Sequence, residues 1–145
     1  MEIKKQGSLY VLVLEMGEEV IASLSDFSKN EGVASAWISA IGALRDFELG
    51  YYYLDRKQYG RKKFEEIAEL ITCSGNIAMR ESQPFAHIHA VMGRDDYSVI
   101  GGHLFTGIVA VTAEIMLFPL PNRMERAYDE RTGLYLLSSA SGKTL

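Results

Sequence analysis

The chain has 145 residues, of which 48% are hydrophobic and 23% are charged, and its formal net charge is −4. This length and composition predict one globular domain over residues 1–145 and exclude an intrinsically disordered protein. The acidic balance argues against the broad positive field that binds nucleic acid, although a local basic patch can still bind it.

Cysteine content and hydropathy predict a cytoplasmic protein. Cys73 is the only cysteine, so an internal disulfide and a cysteine-based zinc finger are both excluded. Its position in an alternating apolar segment predicts an inert core residue. No apolar run approaches the roughly 20 residues that cross a bilayer. The segment 1–5 lacks the apolar core of a signal peptide. We therefore expect no membrane partner.

Hydrophobic periodicity predicts one clear helix among many strands. Val20, Ile21, Leu24 and Phe27 recur at helical spacing within residues 18–30. Alternating or apolar runs predict strands at 8–14, 33–41, 46–54, 64–73, 77–80, 85–91, 97–105, 108–120 and 133–137. A turn is predicted at 74–76 and a short helix at 123–127, and Trp37 is expected to anchor the core. These elements predict an α+β fold, a mixed, largely antiparallel sheet packed with one main helix. So many strand edges predict self-association.

The main concentration of basic residues lies between two predicted strands. Residues 55–63 read Asp-Arg-Lys-Gln-Tyr-Gly-Arg-Lys-Lys and follow three consecutive tyrosines, 51–53. Basic residues interleaved with tyrosine can hold phosphate or stack on a base. A solvated hairpin end explains the same residues equally well.

All three histidines lie in one short stretch. His87 and His89 are alternate residues of a predicted strand, so their side chains point to one face with Cα atoms roughly 6.6 Å apart. The segment 92–97 carries glycine and paired aspartates and predicts a hairpin turn, with His103 on the returning strand.

The register of this hairpin decides whether the histidines meet. One register places His103 opposite His87, and the next one places it opposite His89; both keep the three rings on one face. An intermediate register would turn His103 away unless a bulge intervened, for which Gly101 and Gly102 are suited.

Three converging imidazoles predict a metal site. Neutral imidazole is a preferred zinc ligand, and three of them leave a fourth position open. Nickel, copper and iron also accept imidazole. The alternative is that each histidine is an ordinary half-buried polar residue that binds nothing.

Two further residues are candidates for chemistry at such a site. Glu114 interrupts a long apolar strand, where a carboxylate is costly unless it is paired or ligated. It is a candidate fourth ligand, partner of a ligand, or proton carrier; a salt bridge or an exposed edge would explain it as well. Glu114 and Arg80 are the candidate acid or base for catalysis.

Several of these segments together resemble the PPC (plants and prokaryotes conserved) domain family. The resemblance covers nearly the whole chain and rests on Phe-Glu-Glu-Ile at 64–67 leading to Ser-Gly-Asn at 74–76, His-Ile-His at 87–89, Gly-Gly-His-Leu at 101–104 and Thr-Ala-Glu-Ile at 112–115. It implies an α+β fold, a homotrimer and a metal held by His87, His89 and His103. The Arg-Gly-Arg-Pro AT-hook of the plant relatives is missing, so minor-groove DNA binding does not carry over with the resemblance.

A second resemblance concerns chemistry alone. Paired histidines with a third one downstream are similar to the zinc sites of acetolactate decarboxylases and some small zinc ester hydrolases. Zinc with an open position would supply hydroxide near neutral pH or polarise a carbonyl. The three histidines and the resemblance to the PPC family together imply a zinc-binding, homotrimeric interaction or regulatory module with DNA as a candidate partner. The alternative is a zinc-dependent hydrolase or decarboxylase acting on a small ester or keto acid.

Overall fold

The computed structural model describes residues 1–138, which form nine strands and one helix. In chain order these are β1 (Glu2–Gln6), β2 (Leu9–Glu15), α1 (Val20–Asn30), β3 (Ala36–Tyr53), β4 (Gln58–Phe64), β5 (Ala68–Arg80), β6 (Gln83–Gly93), β7 (Val99–Pro119), β8 (Glu125–Asp129) and β9 (Leu134–Ser138). None of the helical residues in this part of the chain forms a segment long and apolar enough to cross a membrane.

The strands form one sheet in the order β1-β2-β7-β3-β5-β8-β9, with β4 paired to β3 and β6 paired to both β5 and β7. Every pairing is antiparallel except a short parallel contact between β5 and β8. The predicted mixed, largely antiparallel sheet with one main helix is confirmed.

Helix α1 covers one face of the sheet because its apolar residues recur on one side. Glu19 caps its first turn by accepting a hydrogen bond from the Ala22 backbone N–H at 2.6 Å. Leu24 and Phe27 are fully buried and pack with sheet residues in a single core. Burial of each such side chain stabilises the fold by about 1.5–3 kcal/mol.

Strands β3 and β7 are longer than the sequence pattern predicts. The predicted strands 33–41 and 46–54 are one strand, and 97–105 joins 108–120 in the same way. Shifts in the β3–β7 register, one of them between Arg45 and Glu48, bend these strands without ending them.

The predicted turn at 74–76 is wrong, because these residues lie inside β5. Gly75 is needed there for another reason. A Cβ on it would lie 2.0 Å from the carbonyl oxygen of His87 on the paired strand. The turn falls instead at Glu81 and Ser82, which both have positive φ values, 50° and 64°, as in a two-residue hairpin loop.

Three other predictions need correction. Residues 125–129 are strand β8 and not part of a helix, because they pair along their length with β9. Trp37 is 48% exposed and does not anchor the core, since it lies on the sheet face opposite α1. Strand β1 has no counterpart in the predicted elements. Cys73, as predicted, is buried.

The two faces of the sheet differ in what they carry. Directly paired residues in an antiparallel ladder project to the same face. Trp37 pairs with Asn76, which pairs with His87, so all three lie on the face away from α1. We call the exposed apolar residues near this outer face the apolar stripe; they are Trp37, Ile41, Ile71, Val111, Met116 and Phe118.

Candidate metal centre

The hairpin of β6 and β7 brings the three histidines together. His89 pairs directly with His103 in a ladder that runs regularly from there to Gly93 and Val99. This is the second of the two favourable registers, and no bulge at Gly101 or Gly102 interrupts it. His87 lies two residues before His89 and therefore shares its face.

The geometry of the three rings suits a metal ion. Their centroids are 5.0 Å apart for His87 and His89, 5.1 Å for His87 and His103, and 5.7 Å for His89 and His103. One nitrogen from each ring can be chosen so that all lie within 4.8 Å of one another. Zinc–nitrogen bonds of about 2.0–2.1 Å in a tetrahedral site separate the nitrogens by about 3.4 Å. Side-chain adjustments of the order of 1 Å would therefore complete the site.

The protonation of the cluster also fits metal binding. His103 is 8% exposed, and its buried Nδ1 has no hydrogen-bond partner among the described residues. Burial, followed by the charges of Arg126 and His89, lowers the pKa of His87 to about 4. Burial and the neighbouring histidines do the same to His103, whose pKa is also about 4. Both imidazoles are thus neutral at pH 7, and the neutral form is the one that ligates metals.

Aromatic side chains hold His103 in place. Its ring centroid lies 4.5 Å from that of Phe105 and 5.1 Å from that of Tyr59. The Phe105 ring lies against Gly50, where a Cβ would approach it to 2.4 Å. The absence of a side chain at position 50 therefore leaves room for the aromatic packing that supports His103.

A pocket opens beside the cluster where β6 and β7 separate. Their ladder ends at His89 and His103; beyond these residues β6 pairs only with β5, and β7 with β3. The cavity has a volume of about 350 Å³, near the lower end of the range for small-molecule sites. Its lining includes His87, His103, Tyr59, Arg80, Phe85, Phe105, Arg126 and the β9 residues Leu134–Leu136.

Arg126 is the pocket residue that the sequence pattern did not indicate. It lies on the five-residue strand β8 and is 9% exposed. Its Nη2 donates to Asn76 Oδ1 at 2.7 Å, and its Nη1 donates to the Tyr135 carbonyl oxygen at 3.1 Å. Burial lowers its pKa below the usual value. The pairing of β8 with β5 and the hydrogen bond to Asn76 bring this arginine to the histidines, and no motif in the sequence marks it.

The structure separates the two residues predicted to assist catalysis. Arg80 lines the pocket together with His87 and His103. Glu114 is exposed and lies opposite Val13 and Ile41, much further along β7. It lies outside the group of candidate ligands, which among the described residues contains the three histidines alone.

The basic segment forms the turn and second strand of the β3–β4 hairpin, and part of its charge is already paired. Arg61 makes a two-point ion pair with Glu48, with Nε–Oε1 and Nη2–Oε2 distances of 2.7 and 3.0 Å. Lys57 Nζ donates to the Glu130 carbonyl oxygen at 2.6 Å. Lys62 and Lys63 are exposed.

Comparison with known proteins places this architecture in a family. Residues 1–121 match the family model of the Plants and Prokaryotes Conserved (PCC) domain. No match was found among curated proteins.

Solved structures from three organisms are similar over nearly the full length. A metal-containing protein from Archaeoglobus fulgidus is 39% identical, with a TM-score of 0.86 over 95% of this chain and 96% of that one. A candidate DNA-binding protein from Bacteroides thetaiotaomicron is 31% identical, with a TM-score of 0.91 over 94% and 96%. A plant- and prokaryote-conserved (PPC) protein from Pyrococcus horikoshii is 29% identical, with a TM-score of 0.85 over 95% and 94%. The chain belongs to the Plants and Prokaryotes Conserved domain family.

Proposed function

We propose that this chain is a metal-binding module in which His87, His89 and His103 hold a divalent transition metal, most suitably zinc. The convergence of three imidazoles on one point carries this proposal. The two rings with lowered pKa values provide neutral donors, and the unpartnered Nδ1 of His103 is a buried polar atom that a ligand would satisfy. The Archaeoglobus fulgidus relative, described as metal-containing, supports the same proposal.

Metal analysis of protein purified without a histidine tag tests this. After exposure to zinc and removal of free metal, we expect about one equivalent per chain. Retention below about a tenth of an equivalent would count against the site. Nickel, copper and iron are offered in parallel, because imidazole ligates each of them.

The second part of the proposal is assembly of the chain as a homotrimer that acts as an interaction or regulatory module. The apolar stripe supports it. Trp37 and Phe118 pair across β3 and β7 and are 48% and 44% exposed, and contiguous exposed apolar residues mark association surfaces. Further copies of this chain are the occupants that the family resemblance implies.

The third part of the proposal is association with DNA. The exposed side chains of Lys62 and Lys63 support it, and so does the Bacteroides thetaiotaomicron relative, which is described as a candidate DNA-binding protein. Phosphate contacts weaken as salt rises, so binding should be strongest at low salt. A titration of duplex DNA across salt concentrations tests this, and no binding at the lowest salt would remove DNA as a partner. A cytoplasmic location stays a prediction.

A second candidate is a zinc-dependent hydrolase or decarboxylase, which the pocket beside the histidines favours. Zinc bound there would supply an activated water or polarise a substrate carbonyl. The chain itself would bind and orient the substrate through Arg80 and the aromatic walls. The lining contains no carboxylate among the described residues. The remaining candidates for the acid or base are Arg80, Tyr59 and Tyr135, which are side-chain types that accept protons poorly at neutral pH. This favours the binding module.

Turnover of small esters and 2-keto acids by wild type and by His89→Ala separates the two candidates. Turnover by wild type that is lost in His89→Ala would support the zinc-dependent hydrolase or decarboxylase. Equal turnover by the variant would show that the activity does not use the metal.

A further inference from the structure

Arg126 is a buried cation that has no anionic partner within residues 1–138. Its two hydrogen bonds go to a neutral amide oxygen and a backbone carbonyl, and its Nε is buried without a partner among the described residues. A buried charge is costly unless an opposite charge compensates for it. This guanidinium therefore lines the pocket as an uncompensated positive group.

Arg80 adds a second cation to the same pocket. Its guanidinium carbon lies 3.8 Å from the Tyr135 ring centroid and 5.7 Å from that of Phe85. Arg126 also faces the Phe85 ring, at 5.4 Å. Neither arginine makes an ion pair within residues 1–138. Arg61, by contrast, is neutralised by Glu48. The Tyr135 hydroxyl beside Arg80 donates to Glu81 Oε1, so a carboxylate lies near Arg80 without pairing with it directly. Arg126 is thus the less compensated of the two cations that line the pocket.

The other residues that line the pocket indicate what kind of molecule would carry an anionic group to the two arginines. Phe85, Phe105, Leu134 and Leu136 supply apolar walls, and a volume of about 350 Å³ is much larger than an inorganic phosphate or sulfate needs. Arginine binds carboxylates at two points, and aromatic walls suit an apolar body.

We propose that this pocket binds a small organic carboxylate, whose charged group is held by Arg126 and Arg80 and whose apolar body lies along Phe85 and β9, beside the histidine cluster. This deepens the proposed function, on which it rests, by naming the class of ligand that the metal-binding module would receive. It goes beyond metal binding because the two arginines and the apolar walls, and not the imidazoles, select the ligand.

The experiment compares a carboxylate with its neutral isostere. 3-Phenylpropionate and 3-phenylpropionamide are titrated into the full chain by calorimetry or ligand-observed NMR, at concentrations up to about 10 mM. The protein is used both zinc-loaded, with its metal content measured, and metal-free. We expect the carboxylate to bind at least about tenfold more tightly than the amide, since the site is built around a charge.

Variants locate the binding site. Arg126→Gln should weaken carboxylate binding by at least about tenfold, and Arg80→Gln by about three- to tenfold, with little effect on amide binding. Arg45→Gln is the matched control, because Arg45 is exposed and pairs with Asp46 away from the pocket. Circular dichroism checks folding, and if Arg126→Gln does not fold, the half-buried Arg80 decides the outcome.

The results separate this proposal from the metal proposal. Arginine-dependent carboxylate binding to metal-free protein upholds the anion site even if zinc is not retained. Zinc retention with no binding of the carboxylate upholds the metal site and overturns the anion site. Equal affinity for acid and amide, or carboxylate binding that survives both Arg126→Gln and Arg80→Gln, also overturns it.

Discussion

The histidine pocket and the apolar stripe lie on the outer side of the same sheet, yet they are built in opposite ways. The pocket is covered by β8 and β9, and His103 within it is 8% exposed. The stripe has no covering element among residues 1–138, and Val111 within it is 63% exposed. The hairpin of β8 and β9 thus turns one half of the outer face into a cavity, in which we propose that a small ligand binds. The other half is an exposed apolar surface, which we propose as the interface between copies of the chain.

We expect the largest effect from a substitution that disrupts the pocket and leaves the stripe intact. His103→Ala removes the most buried imidazole, and we expect zinc affinity to fall by more than about a hundredfold, since losing a residue that only supports a ligand costs about ten- to a hundredfold. Competition with a chromogenic chelator measures this. Met116→Gln, on the stripe, is the control and should keep wild-type affinity. Equal affinity of both variants would contradict the metal site.

A second substitution tests how tightly the pocket side is packed. Gly75→Ala would place a Cβ 2.0 Å from the His87 carbonyl oxygen, and the backbone cannot yield without disturbing the β5–β6 ladder. We expect a loss of about 2–3 kcal/mol in the free energy of unfolding, measured in urea. Ser39→Ala, exposed beside the stripe, should change stability by less than about 0.5 kcal/mol. Similar losses of unfolding free energy in both variants would mean that β5 and β6 move apart at little cost and that the packing at Gly75 is not tight.

A third substitution disrupts the stripe. Trp37→Lys places a charge within the proposed interface, and we expect association to weaken by about 2 kcal/mol, roughly thirtyfold. Light scattering after gel filtration should show the mass falling from three chains toward the single-chain value of 16.2 kDa. Tyr97→Lys, at a hairpin turn where the side chain is 93% exposed, is the control. A trimer that persists in Trp37→Lys would remove the stripe as its interface.

The smallest effect concerns the core beneath both regions. Burial raises the pKa of the Cys73 thiol to about 11, so the thiol stays protonated and protected between pH 7 and 9. We expect slow alkylation in the folded protein, changed by less than about twofold by zinc, because the thiolate is the reactive form. Urea-unfolded protein should react at once. Rapid labelling that zinc suppresses would instead place Cys73 in contact with the site.

The β6–β7 hairpin shows how much of the candidate site the local sequence pattern predicts. Alternation along β6 and the turn residues after it predict that His87 and His89 share a face and that His103 returns toward them. Two registers satisfied that pattern equally. The choice of the one that pairs His89 with His103 depends on the fit of β6 between β5 and β7, which no local signal encodes.

The wrong predictions at residues 74–76 and at Trp37 have the same cause, because each depends on contacts between strands that local sequence does not encode. Ser-Gly-Asn at 74–76 has the composition of a turn, but Gly75 serves a close approach of two strands, whereas the real turn uses Glu81 and Ser82 in a conformation that such residues seldom adopt. The prediction that Trp37 anchors the core is wrong, because only the sheet topology shows which face it occupies.

The sequence by itself determined the α+β class, helix α1 and the set of three histidines, because periodicity and ligand chemistry are properties of short segments. Tertiary structure alone decided that Arg126 enters the pocket, that Glu114 stays away from the histidines, and that no element among residues 1–138 covers the stripe. Each of these depends on pairings between strands far apart in the chain, such as β5 with β8. Such pairings cost loop-closure entropy and are stabilised by contacts between distant segments, and both contributions arise only when the whole sheet assembles.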